Sequence, residues 1–262
     1  MPMNVIMNDQ SIQPKILVGI VTYDGHRYAL DRLLEAINKF TYPHFTVIFA
    51  DNSATDEYKQ LLESKGFEVL KDASDGTRID RIIRGRNTLR AACLERGYDY
   101  LFFLDSDVIP PVNILEQLLR HKKDVLTGIY LGASKFGDKT EIQPVLYAPF
   151  SDKQVRTMLI KEVLDEKILP IAAAGLGCCL IHRHVLERIA FRNIAISTTG
   201  GEDAAFFKDV QSLGITPYGD TSMKCFHMSY PEGDKRNEFY TFENYIKKYQ
   251  RGTNYSFDIS FG

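Results

Sequence analysis

The chain has 262 residues, of which 44% are hydrophobic and 25% are charged, and its formal net charge at pH 7 is -2. This composition is typical of a folded globular protein, either one large domain or two halves that share a sheet. The balanced charge argues against a general nucleic-acid binder, so we expect no nucleic-acid partner.

Neither a membrane span nor an export signal is apparent. Residues 1–14 lack the basic start and apolar core of a signal peptide. The longest apolar stretch, residues 168–181, contains Pro170 and two glycines and is too short to span a bilayer. We therefore expect a cytoplasmic protein without a transmembrane segment, while peripheral membrane contact stays open.

The cysteines fit no zinc-ligand spacing and are expected to be buried free thiols; they are Cys93, Cys178, Cys179 and Cys225.

Strands and helices alternate along the first half of the chain. Short apolar runs at residues 15–21, 47–50 and 67–70 predict buried strands. Between them, apolar residues at helical spacing within residues 30–37 and 58–62 predict two helices. This alternation predicts an α/β fold with a parallel, doubly wound sheet.

The strongest single signal is a strand predicted at residues 101–104, which runs directly into Asp105, Ser106 and Asp107. Open α/β sheets bind their ligands beyond the carboxyl ends of the strands. Two carboxylates one residue apart repel each other unless a cation or a proton lies between them. Their oxygen atoms suit Mg²⁺ or Mn²⁺, which bind phosphate oxygens in turn, although an Asp-x-Asp sequence also arises by chance.

Polar turns follow the first two predicted strands as well. Thr22 and Tyr23 end the first strand, and Asp51 and Asn52 end the second. Right-handed crossovers place these turns at the same sheet edge as the two aspartates that follow the central strand. The sequence therefore predicts one crevice at which three polar clusters converge.

A helix predicted over residues 79–93 carries Arg86 on its apolar face, followed by Asn87. One interpretation is an arginine whose stem packs in the core while its guanidinium reaches solvent. The interpretation that we favour for Arg86 and Asn87 is binding of a phosphate group in the crevice. Most of the other arginines in this segment are expected to form a solvated face; they are Arg78, Arg81, Arg84, Arg90 and Arg96.

The second half of the chain has a weaker pattern. A helix is predicted at residues 115–119, a strand at 125–131 and a short helix at 185–189. Residues 132–170 show no clear periodicity and are interpreted as an insertion. The Gly- and Ala-rich run at residues 172–181 is typical of backbone that approaches a ligand or another strand closely.

Glu202 and Asp203 precede a strongly periodic helix. Acidic residues there commonly complement the helix dipole, but they also present a general base well. Strands are predicted at residues 215–218 and 223–227. His227 ends the second of these strands, and it is a candidate ligand because the proposed cation site lacks further protein ligands.

In this order the motifs resemble those of GT-A fold glycosyltransferases of the family 2 type, within the nucleotide-diphospho-sugar transferase superfamily. The resemblance covers residues 16–227 and rests on Thr22-Tyr23, Asp51-Asn52-Ser53, Arg86-Asn87, Asp105-Ser106-Asp107, Glu202-Asp203 and the late His227. It implies a mostly parallel doubly wound central sheet flanked by helices, with a smaller acceptor-side sheet.

The resemblance also implies roles for these residues. The donor would be a UDP- or GDP-sugar, and its cation would be Mn²⁺ or Mg²⁺. The implied donor-binding set is Thr22, Tyr23, Asp51, Asn52, Arg86, Asn87, Asp105 and Ser106. The implied metal set is Asp107, Asp105 and His227. Asp203, with Glu202 beside it, would take the proton from the acceptor, which would be a carbohydrate, lipid-linked or protein hydroxyl.

We expect a simple domain organisation. Residues 1–13 form an N-terminal tail, and residues 14–230 form a single catalytic domain. Within this domain, residues 14–107 are the nucleotide-binding half and residues 108–230 the acceptor-binding half. Residues 231–262 form an aromatic-rich C-terminal extension, either packed on the domain or exposed as a surface that meets sugars or lipids.

The expected function is a metal-dependent, inverting and non-processive glycosyltransferase. Non-processive transfer follows because the chain has no Trp and so lacks the Gln-x-x-Arg-Trp motif of processive synthases. A retaining transferase on the same scaffold is the nearest alternative. A sugar-phosphate nucleotidyltransferase and a non-catalytic nucleotide-sugar binding module also remain open, although the turn after the first strand lacks the Gly-rich loop of nucleotidyltransferases.

Overall fold

The computed structural model describes residues 13–136, 139–151, 154–194 and 201–250. The N-terminal tail predicted at residues 1–13 lies outside these ranges except for its last residue. The end of the predicted C-terminal extension, residues 251–262, lies outside them as well.

Strands and helices alternate through the first half of the chain, as predicted. The strands are β1 (Ile16–Thr22), β2 (Phe45–Asp51), β3 (Glu68–Lys71), β4 (Tyr100–Leu104), β5 (Val108–Ile109), β6 (Val125–Ile129), β7 (Leu131–Phe136), β8 (Lys139–Pro144), β9 (Leu146–Ser151), β10 (Gln154–Thr157), β11 (Ile168–Pro170), β12 (Ala173–Ala174), β13 (Cys178–His182), β14 (Tyr218–Lys224) and β15 (Phe226–His227). The α-helices are α1 (Leu30–Ile37), α2 (Glu57–Ser64), α3 (Arg78–Glu95), α4 (Ile114–Arg120), α5 (Arg183–Arg188), α6 (Glu202–Ser212) and α7 (Phe242–Gln250). Short 3₁₀ helices cover Asp24–Ala29, Ile160–Glu162 and Lys235–Tyr240.

One eight-stranded sheet organises the fold, with the strand order β11-β14-β6-β13-β4-β1-β2-β3. Strands β4, β1, β2 and β3 run parallel to one another, and β14 runs parallel to β6. Strand β13 is antiparallel to both of its neighbours, and β11 is antiparallel to β14. The predicted α/β fold with a mostly parallel central sheet flanked by helices is therefore confirmed.

Strand β1 shows why the sheet is buried on both faces. Ile16, Val18 and Ile20 belong to one apolar core and Leu17 belongs to the other, because successive side chains of a strand point to opposite faces. Helices α1, α2 and α4 cover the first core, and α3, α5, α6 and α7 cover the second. Helices on both faces leave the carboxyl ends of the parallel strands accessible only at one edge of the sheet.

The segment without a clear pattern, residues 132–170, is largely β structure. It contains the β7-β8 hairpin and most of a three-stranded sheet with the order β10-β9-β12. These strands have six residues or fewer, which is too short for a clear period.

The prediction of a strand at residues 215–218 was wrong, since β14 begins only at Tyr218. Pro217 explains the late start, because proline has no N–H to donate to a neighbouring strand.

The C-terminal extension packs on the domain as far as the structure describes it. Tyr240, Phe242 and Tyr245 are buried in the same core as α3 and α6. Of the two interpretations for the aromatic tail, these three residues therefore support packing. Within the described ranges, no helix combines the length and apolarity that crossing a membrane requires.

Candidate active site

A cavity of about 1620 Å³ opens at the sheet edge where β1 and β4 end. This volume exceeds the roughly 300–1,000 Å³ of a pocket for one small molecule, so the cavity has room for two substrates. The first turns of α3 and α6 and the β9-β10 hairpin complete its wall. Most of the predicted site residues line it, namely Thr22, Tyr23, Asn52, Arg86, Asp105, Ser106, Asp107, Glu202, Asp203 and His227.

Asp51 lies just beneath the cavity wall and not in it. Its side chain is fully buried, and Lys71 Nζ donates to its Oδ2 atom at 2.8 Å. The backbone N–H and the hydroxyl of Ser53 both donate to Asp51 Oδ1. Lys71 also donates to the carbonyl oxygens of Ser53 and Thr55. Asp51 therefore shapes the turn that presents Asn52, and of these two residues only Asn52 lines the cavity.

The structure corrects the placement of Asn87. Its side-chain amide donates to the carbonyl oxygen of Phe191 at 2.8 Å and accepts from the Phe191 N–H at 2.9 Å. Consecutive helical residues point about 100° apart, and here Arg86 lines the cavity while the Asn87 side chain points to Phe191. Asn87 connects α3 to the segment after α5 and does not line the cavity.

Arg86 lies at the centre of an acidic cluster and packs over the Phe103 ring. Nη2 is 3.5 Å from Asp105 Oδ1 and 3.7 Å from Asp203 Oδ1, and Nε is 3.6 Å from Glu202 Oε1. These distances are longer than the roughly 2.7–2.9 Å of a charge-assisted hydrogen bond. Among the described residues, Arg86 Nε and Asp203 Oδ1 are buried and find no hydrogen-bond partner.

This cluster perturbs two carboxyl groups. Burial raises the pKa of Asp203 well above its ordinary value, and Glu202 and Asp105 raise it further against the opposing effect of Arg86. Burial also raises the pKa of Asp105, again against the effect of Arg86. A carboxylate with a raised pKa is a better proton acceptor near neutral pH, which is what a general base requires.

Asp107 lies on the other side of the site and faces His227. Its Oδ2 atom is 3.4 Å from His227 Nε2. Burial would raise the pKa of Asp107, but the interactions with His227, His26 and the backbone together outweigh burial and lower it. His227 Nδ1 donates to the carbonyl oxygen of Leu131 at 2.8 Å, because a carbonyl can only accept. In the neutral ring the lone pair is then on Nε2, facing Asp107.

The donor atoms at Asp107 and His227 fit a divalent cation. Histidine ligands of metals typically donate their other ring N–H to a carbonyl or carboxylate, as His227 does. In the part of the chain that the structure describes, no three His, Cys, Asp or Glu side chains form a complete metal cluster. A cation there would take further ligands from substrate phosphates and water, as Mg²⁺ commonly does.

The backbone beneath the two aspartates belongs to the Gly- and Ala-rich run. The Gly177 carbonyl accepts from the Asp105 N–H at 3.0 Å, and its N–H donates to the Tyr130 hydroxyl at 3.3 Å. A Cβ atom at Gly177 would lie 2.5 Å from Asp105 Oδ2 and 2.8 Å from the Tyr130 oxygen. The close approach predicted for this run is therefore real.

Several residues of the cavity had no predicted role. His26 and Tyr130 line it, and so do Arg78 and Arg81, which were grouped with the arginines of a mostly solvated face. The far wall carries two of the exposed large apolar side chains, Phe150 at 68% and Val155 at 57%. A signal for this wall existed in the apolar Leu-Tyr-Ala-Pro-Phe run of β9, but it is only a few residues long.

The family model described as Glycosyl transferase family 2 matches residues 17–189. The matched segment runs from β1 to just past α5, more than half of the chain. The chain therefore belongs to glycosyl transferase family 2, and its class is that of the glycosyltransferases.

Individual proteins are similar to parts of the chain. A segment is 28% identical over 152 residues to the mannan polymerase II complex anp1 subunit of Schizosaccharomyces pombe, covering 45% of this chain and 35% of that protein. The match thus spans about a third of that curated relative.

Solved structures give two further comparisons. The crystal structure of GalNAc-T7 with UDP, GalNAc and Mn²⁺ is similar with a TM-score of 0.60 and 14% identity, over 85% of this chain and 45% of that one. This similarity supports the GT-A fold. The crystal structure of A197 from STIV matches 81% of this chain and 85% of that one, with 21% identity and a TM-score of 0.44.

Proposed function

We propose that this domain transfers a sugar from a nucleotide-diphosphate sugar to an acceptor hydroxyl, with a divalent cation and with inversion at the anomeric carbon. The observation that carries the proposal is the presence of two carboxylates with different partners in one cavity. Asp107 faces His227, whereas Asp203 faces Arg86 and Glu202. Two such groups suit two tasks, stabilising the leaving group and activating the acceptor.

The nucleotide would bind where β1 and β2 end, within the proposed nucleotide-binding half of residues 14–107. Thr22, Tyr23 and Asn52 line this part of the cavity. Tyr23 packs against the His26 ring but is still 42% exposed, and the exposed part of its ring would stack on a base. Asp51 supports the turn from below, so its replacement would disturb donor binding without removing a direct contact.

The diphosphate would lie beside Asp105, Ser106 and Asp107. A bound cation would neutralise the charge that develops on the diphosphate as the glycosidic bond breaks. Asp107 and His227 would hold that cation, and Asp105 would lie at the same strand end. Arg86, whose Nη2 atom is 3.5 Å from Asp105, would add positive charge beside the phosphates. The GalNAc-T7 structure contains UDP and Mn²⁺, which supports a nucleotide-diphosphate donor and a divalent cation for this domain.

Asp203 would act as the general base for the acceptor. Its raised pKa follows from burial and from Glu202, so Glu202 tunes the base that takes the proton. A base beside the acceptor, acting while the leaving group departs on the other side, produces inversion in a single displacement. Retention would instead require a second displacement or attack from the same face as the leaving group.

The acceptor would occupy the other half of the cavity, within residues 108–230. Tyr147 and Phe150 from β9 line that half together with Val155. Flat aromatic surfaces with few charges suit the apolar faces of a sugar ring better than a charged substrate. A carbohydrate acceptor is the choice we favour over a lipid-linked or protein hydroxyl, and the name of the mannan polymerase relative supports it.

The test is transfer from UDP- and GDP-sugars to simple sugar acceptors, measured with Mn²⁺ and with EDTA. We expect activity only with the metal. Asp107→Asn should lose metal-dependent nucleotide binding and transfer together. Asp203→Asn should keep nucleotide binding and lose about 10²–10⁴-fold in kcat, the usual contribution of a general base.

Asp209→Asn is the matched control, because Asp209 is on the same helix but pairs with Arg192. It should keep wild-type turnover. NMR of the anomeric proton in the product tests inversion. Full activity of Asp107→Asn with metal present, or a retained anomeric configuration, would contradict the corresponding part of the proposal. Formation of a nucleotide sugar from a sugar phosphate would instead identify a nucleotidyltransferase, and binding without turnover a non-catalytic module.

A further inference from the structure

The hydroxyl of Tyr130 is a polar group of the cavity that has no role in the proposed function. Tyr130 lies directly after β6, at the carboxyl end of that strand, and it lines the cavity although only 6% of the residue is exposed. The Gly177 N–H donates to its oxygen at 3.3 Å. This is the hydrogen bond that the described residues give the hydroxyl, and the oxygen accepts in it. The hydroxyl proton is therefore left for an acceptor in the cavity.

Two glycines and one ring fix the position of this hydroxyl. A Cβ atom at Gly175 would overlap the Tyr130 oxygen, and a Cβ atom at Gly177 would lie 2.8 Å from it. The hydroxyl therefore occupies space that only glycine leaves open at both positions. The Tyr130 ring also meets the His227 ring edge-on, with the ring centroids 5.5 Å apart. These contacts hold the hydroxyl at one place at the sheet edge.

The hydroxyl lies close to the carboxylate of Asp105. A Cβ atom at Gly177 would be 2.5 Å from Asp105 Oδ2 and 2.8 Å from the Tyr130 oxygen, so these two oxygen atoms are at most 5.3 Å apart. No hydrogen bond joins these two described side chains. One further oxygen atom, at the roughly 2.7–2.8 Å of an O–H···O hydrogen bond from each of them, can bridge that gap. The pair therefore offers a donor and an acceptor to a single hydroxyl group.

The location of this pair fits the transferred sugar better than the nucleotide. Asp105 lies at the strand end proposed for the diphosphate. Burial raises the pKa of Tyr130 well above its ordinary value, and Asp105 and Asp203 raise it further, so the phenol stays protonated and lies near both carboxylates. The transferred sugar must lie in the same interval. Its anomeric carbon is bonded to the diphosphate on one side and meets the acceptor beside Asp203 on the other.

We propose that Tyr130 donates a hydrogen bond to one hydroxyl of the transferred sugar, and that Asp105 accepts the hydrogen bond which the same hydroxyl donates. This inference rests on the proposed function, since it concerns the donor of that reaction. A sugar hydroxyl has one proton to donate and lone pairs to accept, so it satisfies both groups. A sugar without a hydroxyl at that position would leave two buried polar groups unpaired, which is costly. Tyr130 therefore contributes to the choice of the sugar that is transferred.

Kinetics with donor analogues test this pairing. The donor is the UDP- or GDP-sugar that the wild type uses in the transfer assay, and each analogue lacks one hydroxyl of its sugar. We expect one analogue to lose at least about tenfold in kcat/KM with the wild type. Tyr130→Phe should lose about tenfold with the intact donor, as for one hydrogen bond, and little more with that analogue, because the two losses share one contact. Its affinity for UDP or GDP alone should equal that of the wild type, since neither carries the sugar.

Tyr240→Phe is the matched control. The Tyr240 ring also meets the His227 ring edge-on, with centroids 5.6 Å apart, but Tyr240 is not among the described residues that line the cavity. It should keep the kcat/KM of the wild type and the wild-type response to every analogue. The comparison separates the hydroxyl in the cavity from the packing of a tyrosine against His227.

Several results would overturn the role of Tyr130 and leave the proposed function intact. Wild-type kcat/KM in Tyr130→Phe would show that the hydroxyl makes no contact with the sugar. A matching loss of UDP or GDP affinity would show that it only supports the backbone beneath Asp105. If Tyr130→Phe does not fold, the wild type decides alone, because equal use of all the analogues excludes a paired hydroxyl. A wild type that transfers no sugar from any UDP- or GDP-sugar would overturn the proposed function and this inference with it.

Discussion

Replacement of Lys71 by methionine tests the buried ion pair beneath the nucleotide-binding turn. Lys71 Nζ donates to Asp51 Oδ2 at 2.8 Å and to two carbonyl oxygens of the same turn. The Asp51 side chain is fully buried, and that of Lys71 is 26% exposed. Lys71→Met preserves the aliphatic stem and removes all three donated hydrogen bonds. It leaves the Asp51 carboxylate buried without its countercharge.

The structure bounds the size of the effect. Breaking one partner of a buried ion pair costs roughly 3–5 kcal/mol. We expect the free energy of unfolding to fall by an amount near the lower end of this range, about 3 kcal/mol. The reasons are that Lys71 is partly exposed and that Ser53 still donates two hydrogen bonds to Asp51. For a chain of this size that loss lowers Tm by about 6–12 °C.

Thermal melting and urea unfolding measure this loss, and titration with UDP or GDP measures the effect on the turn. We expect nucleotide affinity to fall as well, because Asn52 and Thr22 depend on the turn for their positions. Lys65→Met is the control, since Lys65 pairs with the largely exposed Asp31 at 3.4 Å and surface pairs contribute little. Asp51→Asn in the Lys71→Met background should recover part of the stability. If Lys71→Met has the same Tm as the wild type, the assignment of Asp51 as a buried charge is refuted.

Three further predictions concern other parts of the chain. Gly177→Ala should lose about 1–3 kcal/mol of stability through overpacking and should also lose nucleotide binding, since its Cβ would lie 2.5 Å from Asp105 Oδ2. Gly201→Ala should retain both, because its Cβ would come no closer than 3.7 Å to any atom considered among the described residues. The four buried cysteines should resist a thiol reagent in the native protein and should all react in urea. Burial raises the pKa of Cys93 to about 12 and the pKa values of Cys179 and Cys225 well above the ordinary value, so little reactive thiolate forms. Rapid labelling of the native protein would contradict this burial. The hydrogen bond from Arg156 holds the pKa of Glu162 at about 2, below the pKa of the same group in the unfolded chain. The ion pair therefore adds to the free energy of unfolding at neutral pH, and this contribution is lost as pH falls from about 4.3 toward 2. The difference in urea midpoint between the wild type and Glu162→Gln should therefore shrink over that range, and a constant difference would exclude the ion pair as its cause.

The sheet edge was predictable because its signals are local. The run Leu-Phe-Phe-Leu before Asp105 identifies a strand buried on both faces, and strand polarity then determines where its carboxylates lie. The same reasoning located Thr22 and Asn52. It could not separate Arg86 from Asn87, because that distinction depends on which side of α3 faces the cavity. That side is set by contacts of Asn87 with Phe191, more than a hundred residues away.

The residues that were missed have partners far away in the sequence. His26 meets Ser106 across 80 positions, and Lys71 meets Asp51 across 20. Neither residue is part of a local motif, so no window of sequence distinguishes it from a surface residue. The β9-β10 wall was missed for another reason, since its strands are too short for a period and gain their order by pairing with each other and with β12.

The acidic cluster around Arg86 should lower the free energy of unfolding at neutral pH. Three carboxylates surround one guanidinium at 3.5–3.7 Å, so negative charge is in excess. Burial and the neighbouring carboxylates raise the pKa of Asp203, which means that its ionised form opposes folding at neutral pH. Asp203→Asn should therefore melt at a higher temperature than the wild type in EDTA at pH 7, while its turnover falls. Asp209→Asn breaks a bidentate pair with Arg192 on the same helix and should not melt higher. If Asp203→Asn is less stable than the wild type, Arg86 compensates the cluster fully, and excess charge is not what prepares Asp203 to accept a proton.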